Sequence, residues 1–426
     1  MTPLRTRRAR PAALAAVFLA LAAARAGAQT LLVPMDDGQR NHLRAYGLVY
    51  NALKDGQKAE WLLNYRGGAF FLPDLPELRR RAALAGVSVE PEDPAAVADV
   101  RRELAGGNMD AVPLERAPRI AIYTPPGAQP WDDAVTLALT YAGIPFDKVW
   151  DDDVLAGTLG KYEWVHLFHE DFTGQQNKLA LAYANAPWFR EQRAVLQAAA
   201  QRHGYASVPA LKKAVAERIR TYVENGGFLF AMCGATESLD LAIAGEDVNF
   251  AAASVGGVPP DPDADRKMVW ARSLAFQNAH LAPPYVTALS DIDGHQVNVP
   301  GRRQPLGTFQ LFGFSAKFDP VATMLVQDHR TSIPDFYGVT TSFTKATVKP
   351  GVTVLATEDG APWVKYIHGD YGKGAWTFLG GHDPEDPQHA IGSAPTDLAL
   401  HPDSPGYRLI LNNVLFPAAK KKPRKT

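Results

Sequence analysis

Short apolar runs that alternate with amphipathic helical stretches constrain this chain more than any other feature. Leu31 to Met35 reads as a strand, Gln39 to Lys54 has helical periodicity and ends at Gly56, and Ala59 to Asn64 is a strand again, so the three predict a βαβ unit. NYRGGAFFLP reads as a loop, followed by helices near 76–86 and 94–105. A second series starts at Pro118. PRIAIYTPP is a strand, PWDDAVTLALTYAG a helix stopped by Gly143, PFDKVW a strand, DDDVLAGTL a short helix and YEWVHLF a strand. Val208 to Asn225 is a long helix closed by Gly226-Gly227, and FLFAMC is the next strand. Residues 246–350 turn rich in Gly, Pro and Asp with short β-like runs, and read as a β-rich insertion. VTVLATEDG, APWVKYIHG and GAWTFLGG then supply three strands, and Tyr407 to Phe416 a closing helix. Such alternation predicts an α/β fold with a doubly wound, mainly parallel sheet and helices on both faces. The expected division is an N-terminal βα lobe at 29–115, a core from 116–245 plus 350–417, and the insertion at 246–349.

The ends of the chain are read separately. Arg5, Arg7, Arg8 and Arg10 form a positive segment, Ala12 to Ala24 an apolar one, and Ala26-Gly27-Ala28 a small-residue cleavage pattern, so residues 1–28 read as a secretory signal peptide. This predicts an exported protein, periplasmic or secreted. Without its five arginines, Lys+Arg falls from 44 to 39 against 45 Asp+Glu, a net charge of about −6. Residues 418–426 form a basic tail expected to be disordered. No basic face or reading motif points to nucleic acid, and no later run approaches the ~18 apolar residues of a membrane span. The single cysteine excludes an internal disulfide. No Walker or dinucleotide-binding loop is present, so no cofactor is expected.

In a sheet of this type, sites lie beyond the carboxyl ends of the strands. Three such places carry chemistry. FLFAM runs into Cys233, and Gly234, Ala235 and Thr236 open a helix. A nucleophile held at a sharp strand-to-helix turn needs this layout. The helix N-terminus favours a thiolate, and the Gly234 N–H could serve as an oxyanion donor. The bland alternative is a buried cysteine that only packs. GAWTFLGGHDPEDPQH places His382 after a strand and a glycine pair, where it could activate the thiol, with Glu385, Asp383 or Asp386 to orient the ring. A Gly-Gly-His turn, with Asp and Pro capping the next segment, is the alternative. WVHLFHEDFTGQ puts His166 and His169 at a strand end, then Glu170 and Asp171. These could orient His382, bind a polar substrate, or join His382, Asp383 and His389 as metal ligands. Equally, they could cap the following helix. Asp36, Asp37, Arg66, Trp131, Asp132 and Asp133 also fall at expected strand ends, and Phe172, Trp188 and Phe189 could line a groove.

The strand–Cys–helix after a Gly-Gly helix end, joined to the late GKGAWTFLGGHDPE strand, resembles the class I glutamine amidotransferase fold, a flavodoxin-like sheet, and within it the ThuA-like branch. That resemblance implies a Cys, His and Glu set. Cys233 and His382 match by position, whereas Glu385 stands three residues after the histidine rather than two. Alanines 231 and 235 stand where amidotransferases carry glycine. The runs LLVPMDDGQRNHLRAYG, EWLLNYRGG, PWDDAVTLALTYA, HEDFTGQ, FLFAMC, GGHDPEDPQH and SPGYRLILNNVLFPAAKKK are similar to an exported bacterial family that carries the label asparagine synthetase B. The chain has neither a cysteine at position two nor an SGG-x-DS loop, so ATP-dependent asparagine synthesis is not expected of it. The expectation is a thiol hydrolase or amidase acting on a small polar or carbohydrate-linked substrate. Cys233 is its nucleophile, His382 its base and Glu385 or Glu170 its acid, with His169, Asp171, Arg66 and Asp383 as substrate contacts. A non-catalytic binder of saccharide or cell-envelope ligands and a metal-dependent hydrolase are the alternatives.

Overall fold

The computed structural model describes residues 29–126, 133–176, 179–180, 183–283, 288–294, 308–326, 330–334, 336, 340, 342–358, 361–386 and 393–420. The predicted leader, most of the basic tail, Trp131, Asp132 and His389 lie outside the described residues. Among the described residues no helix is long and apolar enough to cross a membrane.

The N-terminal strands are β1 (Thr30–Val33), β2 (Ala59–Leu63), β3 (Phe70–Pro73), β4 (Glu90–Glu92) and β5 (Asp110–Leu114). They build a sheet of their own, ordered β4-β1-β3-β2-β5, with every neighbour antiparallel. Helix α1 (His42–Lys54) does connect two strands of like direction, but β3 lies between them. The expected βαβ unit is therefore a split one. Helices α2 (Pro76–Ala85) and α3 (Pro94–Gly106) follow β3 and β4. Local chemistry explains the helix boundaries. Asn41 and Asp93 cap α1 and α3 through their side chains, and Gly86 ends α2 in the left-handed region.

The second sheet contains β6 (Ile120–Tyr123), β7 (Asp147–Val149), β8 (Trp164–Leu167), β9 (Phe228–Met232), β10 (Thr308–Leu311), β11 (Ser332–Pro334), β12 (Phe343–Thr344), β13 (Thr353–Thr357), β14 (Trp363–Tyr371) and β15 (Gly374–Leu379). Its path is β11-β10-β13-β14-β15-β9-β8-β6-β7, with β12 paired to β14. The half from β15 to β7 is parallel throughout. Taken in chain order, its strands lie 2-1-3-4-5. The other half is antiparallel, so the sheet is mixed rather than mainly parallel. A two-residue Gly372-Lys373 turn joins β14 to β15 and reverses the chain there. The expected insertion is not a separate body, because β10, β11 and β12 extend the same sheet. Much of its remaining described chain is short helical turns and isolated bridges rather than strand.

Helices α4 (Ala134–Ala142), α5 (Asp151–Leu155), α6 (Pro187–Arg202), α7 (Val208–Glu224), α8 (Gly234–Ala244) and α9 (Pro405–Leu415) complete the fold. Successive side chains of a strand face opposite sides. Phe228, Phe230 and Met232 of β9 accordingly join a core with α1, α4 and α9, while Leu229 and Ala231 join one with α7 and α8. The first core also holds Val33, Trp61 and Phe70 of the small sheet, so α1, α4 and α9 fill the space between the two sheets. Gly47 lets α1 and α4 touch, since a Cβ there would meet the Ala142 carbonyl. Buried Arg408 of α9 donates to the carbonyls of Met35 and Gly67, fastening the N-terminal lobe to the last helix.

Candidate functional site

Cys233 is the single residue between β9 and α8. Its φ of 53° and ψ of −137° lie outside the regions an L-residue occupies without strain. Surrounding bonds hold it there. Thr236 donates to the Cys233 carbonyl from both its backbone N–H (3.3 Å) and its hydroxyl (2.7 Å). Ala235 N–H donates to the Phe168 carbonyl at the end of β8, 3.0 Å away. Small residues make the turn compact, and the residues on either side of Cys233, like the thiol itself, are fully buried. Gly234 opens the helix, where backbone N–H groups and a partial positive charge gather.

The loops from the two strands that flank β9 converge over its end. Leu379 of β15 pairs with Met232, and Leu167 of β8 with Ala231. Neighbouring strands lie about 4.8 Å apart, so the residues just past these pairs lie close together. His382 packs on Phe168 with ring centroids 4.4 Å apart and stacks with His169 at 6.1 Å and 28° between ring planes. His169 is exposed and His382 half-buried, whereas Cys233 is fully buried.

The other expected site residues have defined places. Glu385 Oε2 meets His401 Nδ1 at 3.1 Å. Asp383 is buried. It accepts from the Glu385 and Asp386 N–H groups, from Thr396 Oγ1 and from Tyr407 Oη (2.8 Å), which fastens the His382 turn to α9. Asp171 caps its own loop, accepting from Thr173 and from Gln176 N–H. Arg66 belongs to the small sheet, where Asp36 and Glu90 hold it and keep its pKa above the ordinary value. Glu170 lies beneath the β8 loop, 2.8 Å from Lys212 Nζ.

Lys212 carries no signal in the sequence, where it is one of two adjacent lysines in α7. It is fully buried against Glu170, Asp151 (3.1 Å) and Tyr123 Oη (2.9 Å), with the Trp150 ring 4.0 Å from its ammonium. Burial disfavours the ammonium, but the two carboxylates outweigh it and raise the Lys212 pKa. Burial also raises Glu170, against the pull of Lys212. One cation thus holds two carboxylates past the ends of β7 and β8 and the phenol that ends β6. A second pair lies across the sheet. Asp133, capping α4, is 3.3 Å from buried His166, and His166 outweighs burial to lower the carboxyl pKa.

Glu237 and Asp240 are two further acids that do not lie at a strand end. Both lie within α8, a helix otherwise small or apolar except for Thr236 and Ser238, and that contrast is the signal that marks them. Asp240 accepts from the N–H groups of Leu274, Ala275 and Phe276, and burial pushes its pKa up to about 6 despite those bonds. Glu237 accepts from Ser290 Oγ (2.7 Å) and Thr340 Oγ1 (3.4 Å).

The arrangement suits thiol chemistry in kind, with a strained cysteine at a helix N-terminus and imidazoles on adjoining strand ends. Among the described residues no three His, Cys, Asp or Glu side chains gather so as to hold a metal ion.

No family model matches the chain. No curated protein matches it. Among solved structures it is similar to cytoplasmic protein STM3548 of Salmonella typhimurium, at 12% identity and a TM-score of 0.34, over 71% of this chain and 100% of that one. Cytoplasmic protein STM1381 of Salmonella typhimurium LT2 is similar at 13% and 0.34, again over 71% of this chain and 100% of that one. The GH42 β-galactosidase Gan42B of G. stearothermophilus is similar at 13% and 0.29, over 64% of this chain and 28% of that chain.

Proposed function

We propose that this chain is an exported, amidotransferase-like thiol hydrolase that cleaves a small polar amide or carbohydrate-linked acyl substrate. The observation that carries the reading is the strained Cys233 backbone between a buried strand and a helix N-terminus. Strain of that kind persists where the surrounding structure holds it, and it clusters at functional sites. The 2-1-3-4-5 order of the parallel strands, shared with flavodoxin-like sheets, supports an amidotransferase-like core.

In the proposed reaction His382 accepts the Cys233 thiol proton and Sγ attacks the substrate carbonyl. The Gly234 N–H donates to the oxyanion. Collapse of the tetrahedral intermediate breaks the carbonyl–nitrogen bond, and the proton leaves with the amine. Water then adds to the thioester, giving its proton to His382, and releases the acid and the thiol. His169 stands beside His382.

Full burial of Cys233 favours one competing reading, a binder of small polar or saccharide ligands with no thiol reaction. Iodoacetamide treatment of the native protein at neutral pH separates the two. Labelling of Cys233 that slows in His382→Asn supports the hydrolase. A thiol that reacts only after unfolding sinks it.

A further inference from the structure

We infer that Glu237 is a positioning residue for His382, and that residues 288–294, Thr340 and residues 342–344 of the β-rich segment are built into the thiol site. This rests on the thiol-hydrolase reading.

The two stretches form one ribbon. Thr344 N–H donates to the Ile292 carbonyl (2.8 Å) and Gly294 N–H to the Ser342 carbonyl (3.0 Å). From one side of the ribbon Ser290 reaches Glu237 Oε1, and from the other Thr340 reaches Oε2. The carboxylate is fully buried in the first turn of α8, four residues after Cys233. Thr340 also faces the opposite way. Its carbonyl accepts the Gly381 N–H at 2.9 Å, one residue before His382. Gly381 has a φ of 125°, and a Cβ there would collide with Phe336. The turn bearing His382 is therefore held from the ribbon side by Thr340 and Phe336, and from the α9 side by Asp383 with Tyr407. A chain of hydrogen bonds joins the helix that follows the cysteine to the turn that carries the histidine, through a hydroxyl and the backbone of one threonine. Two of the carboxylates expected to orient His382 meet other partners, Glu385 at His401 and Glu170 at Lys212. Glu237 instead fixes where the imidazole stands relative to the thiol.

The test is the rate of Cys233 alkylation by iodoacetamide in the full chain from pH 5 to 9. Wild type and Thr340→Ser should alkylate below the ordinary thiol range near pH ~8.5, through a step that His382→Asn removes. Glu237→Gln and Thr340→Val should be at least about tenfold slower at pH 6 to 7, with profiles moved toward an ordinary thiol. If those two variants alkylate like wild type while His382→Asn does not, the assignment is overturned and the thiol reading stands. A wild-type thiol silent until unfolding overturns both. Should Glu237→Gln fail to fold, the Thr340→Ser and Thr340→Val pair decides the matter in its place, because the two differ in the hydroxyl that reaches Glu237.

Discussion

His169 and His382 stack at 6.1 Å across the end of the strand that carries Cys233, each supplied by one of that strand's two parallel neighbours. His169 is exposed and His382 half-buried, while the cysteine of the strand between their two strands is fully buried.

The strain at Cys233 predicts an inverted order of stability between two small substitutions. Alanine keeps the unfavourable φ, whereas glycine adopts it freely. Cys233→Gly should be more stable than Cys233→Ala by about 1 kcal/mol, net of the extra chain entropy glycine brings to the unfolded state. Denaturant unfolding of the pair decides it, and an Ala variant equal to or above Gly would contradict a strained turn.

Lys212→Met should cost about 3 to 5 kcal/mol, because Asp151 and Glu170 are left buried without their cation. Burial already raises the Glu170 pKa. A raised carboxyl contributes stability at low pH that is lost as pH rises through the folded-state pKa. The deficit of the variant should therefore shrink on acidification from neutral pH. Unfolding at pH 5 and 7.5 measures the slope, and a deficit that grows toward acid would refute this account.

His42 gives the opposite slope. Burial, then the charge of Arg408, lowers its pKa to about 4, while its ring meets the Met35 and Asp36 carbonyls through Nε2. Protons bind the unfolded chain first, so the native state loses ground as pH falls from about 6.5 to about 4, by about 3 kcal/mol in all. His42→Gln, which keeps a donor and does not titrate, should flatten that part of the profile. An unchanged profile would remove His42 from the explanation.

Gly381→Ala should destabilise the protein by about 3 kcal/mol or more, since the φ of 125° and the contact with Phe336 both exclude a Cβ. Any folded fraction should alkylate at Cys233 in the manner of His382→Asn, because the turn has moved. A variant with wild-type melting and labelling would show that the turn tolerates a side chain.

How much of the fold is legible in the sequence follows from the range of the interactions involved. The strands of the parallel half are short, continuous apolar runs bounded by turn residues, and helices such as α3 and α4 begin at capping aspartates. Both are local signals. β3 is hidden, because four residues between Gly67-Gly68 and Pro73 look like a loop until β1 and β2 pair with them. The antiparallel half departs from the expected parallel sheet for a related reason, since strand direction depends on which partners the chain meets, not on periodicity. At the site, the Cys233 turn and the histidine loops are legible, because a strand end followed by a small-residue helix has its own pattern. The partners of the acids are not. Lys212 and Lys213 look alike in sequence, yet one is fully buried between two carboxylates and the other donates to the Val248 carbonyl. Glu237 finds its hydroxyls 53 and 103 residues away.

Arg408 reaches Met35 across 373 positions, and Tyr46 reaches Asn412 across 366. The ninth helix is thus a keystone: the layer of α1 and α4 behind the first lobe stays incomplete until nearly the whole chain exists. Assembly must close late, through contacts of very long sequence separation, which slows folding. A nascent chain stopped before Pro405 would leave α1 and α4 uncovered on the side that α9 packs, so the lobe and the sheet behind it should appear and melt together.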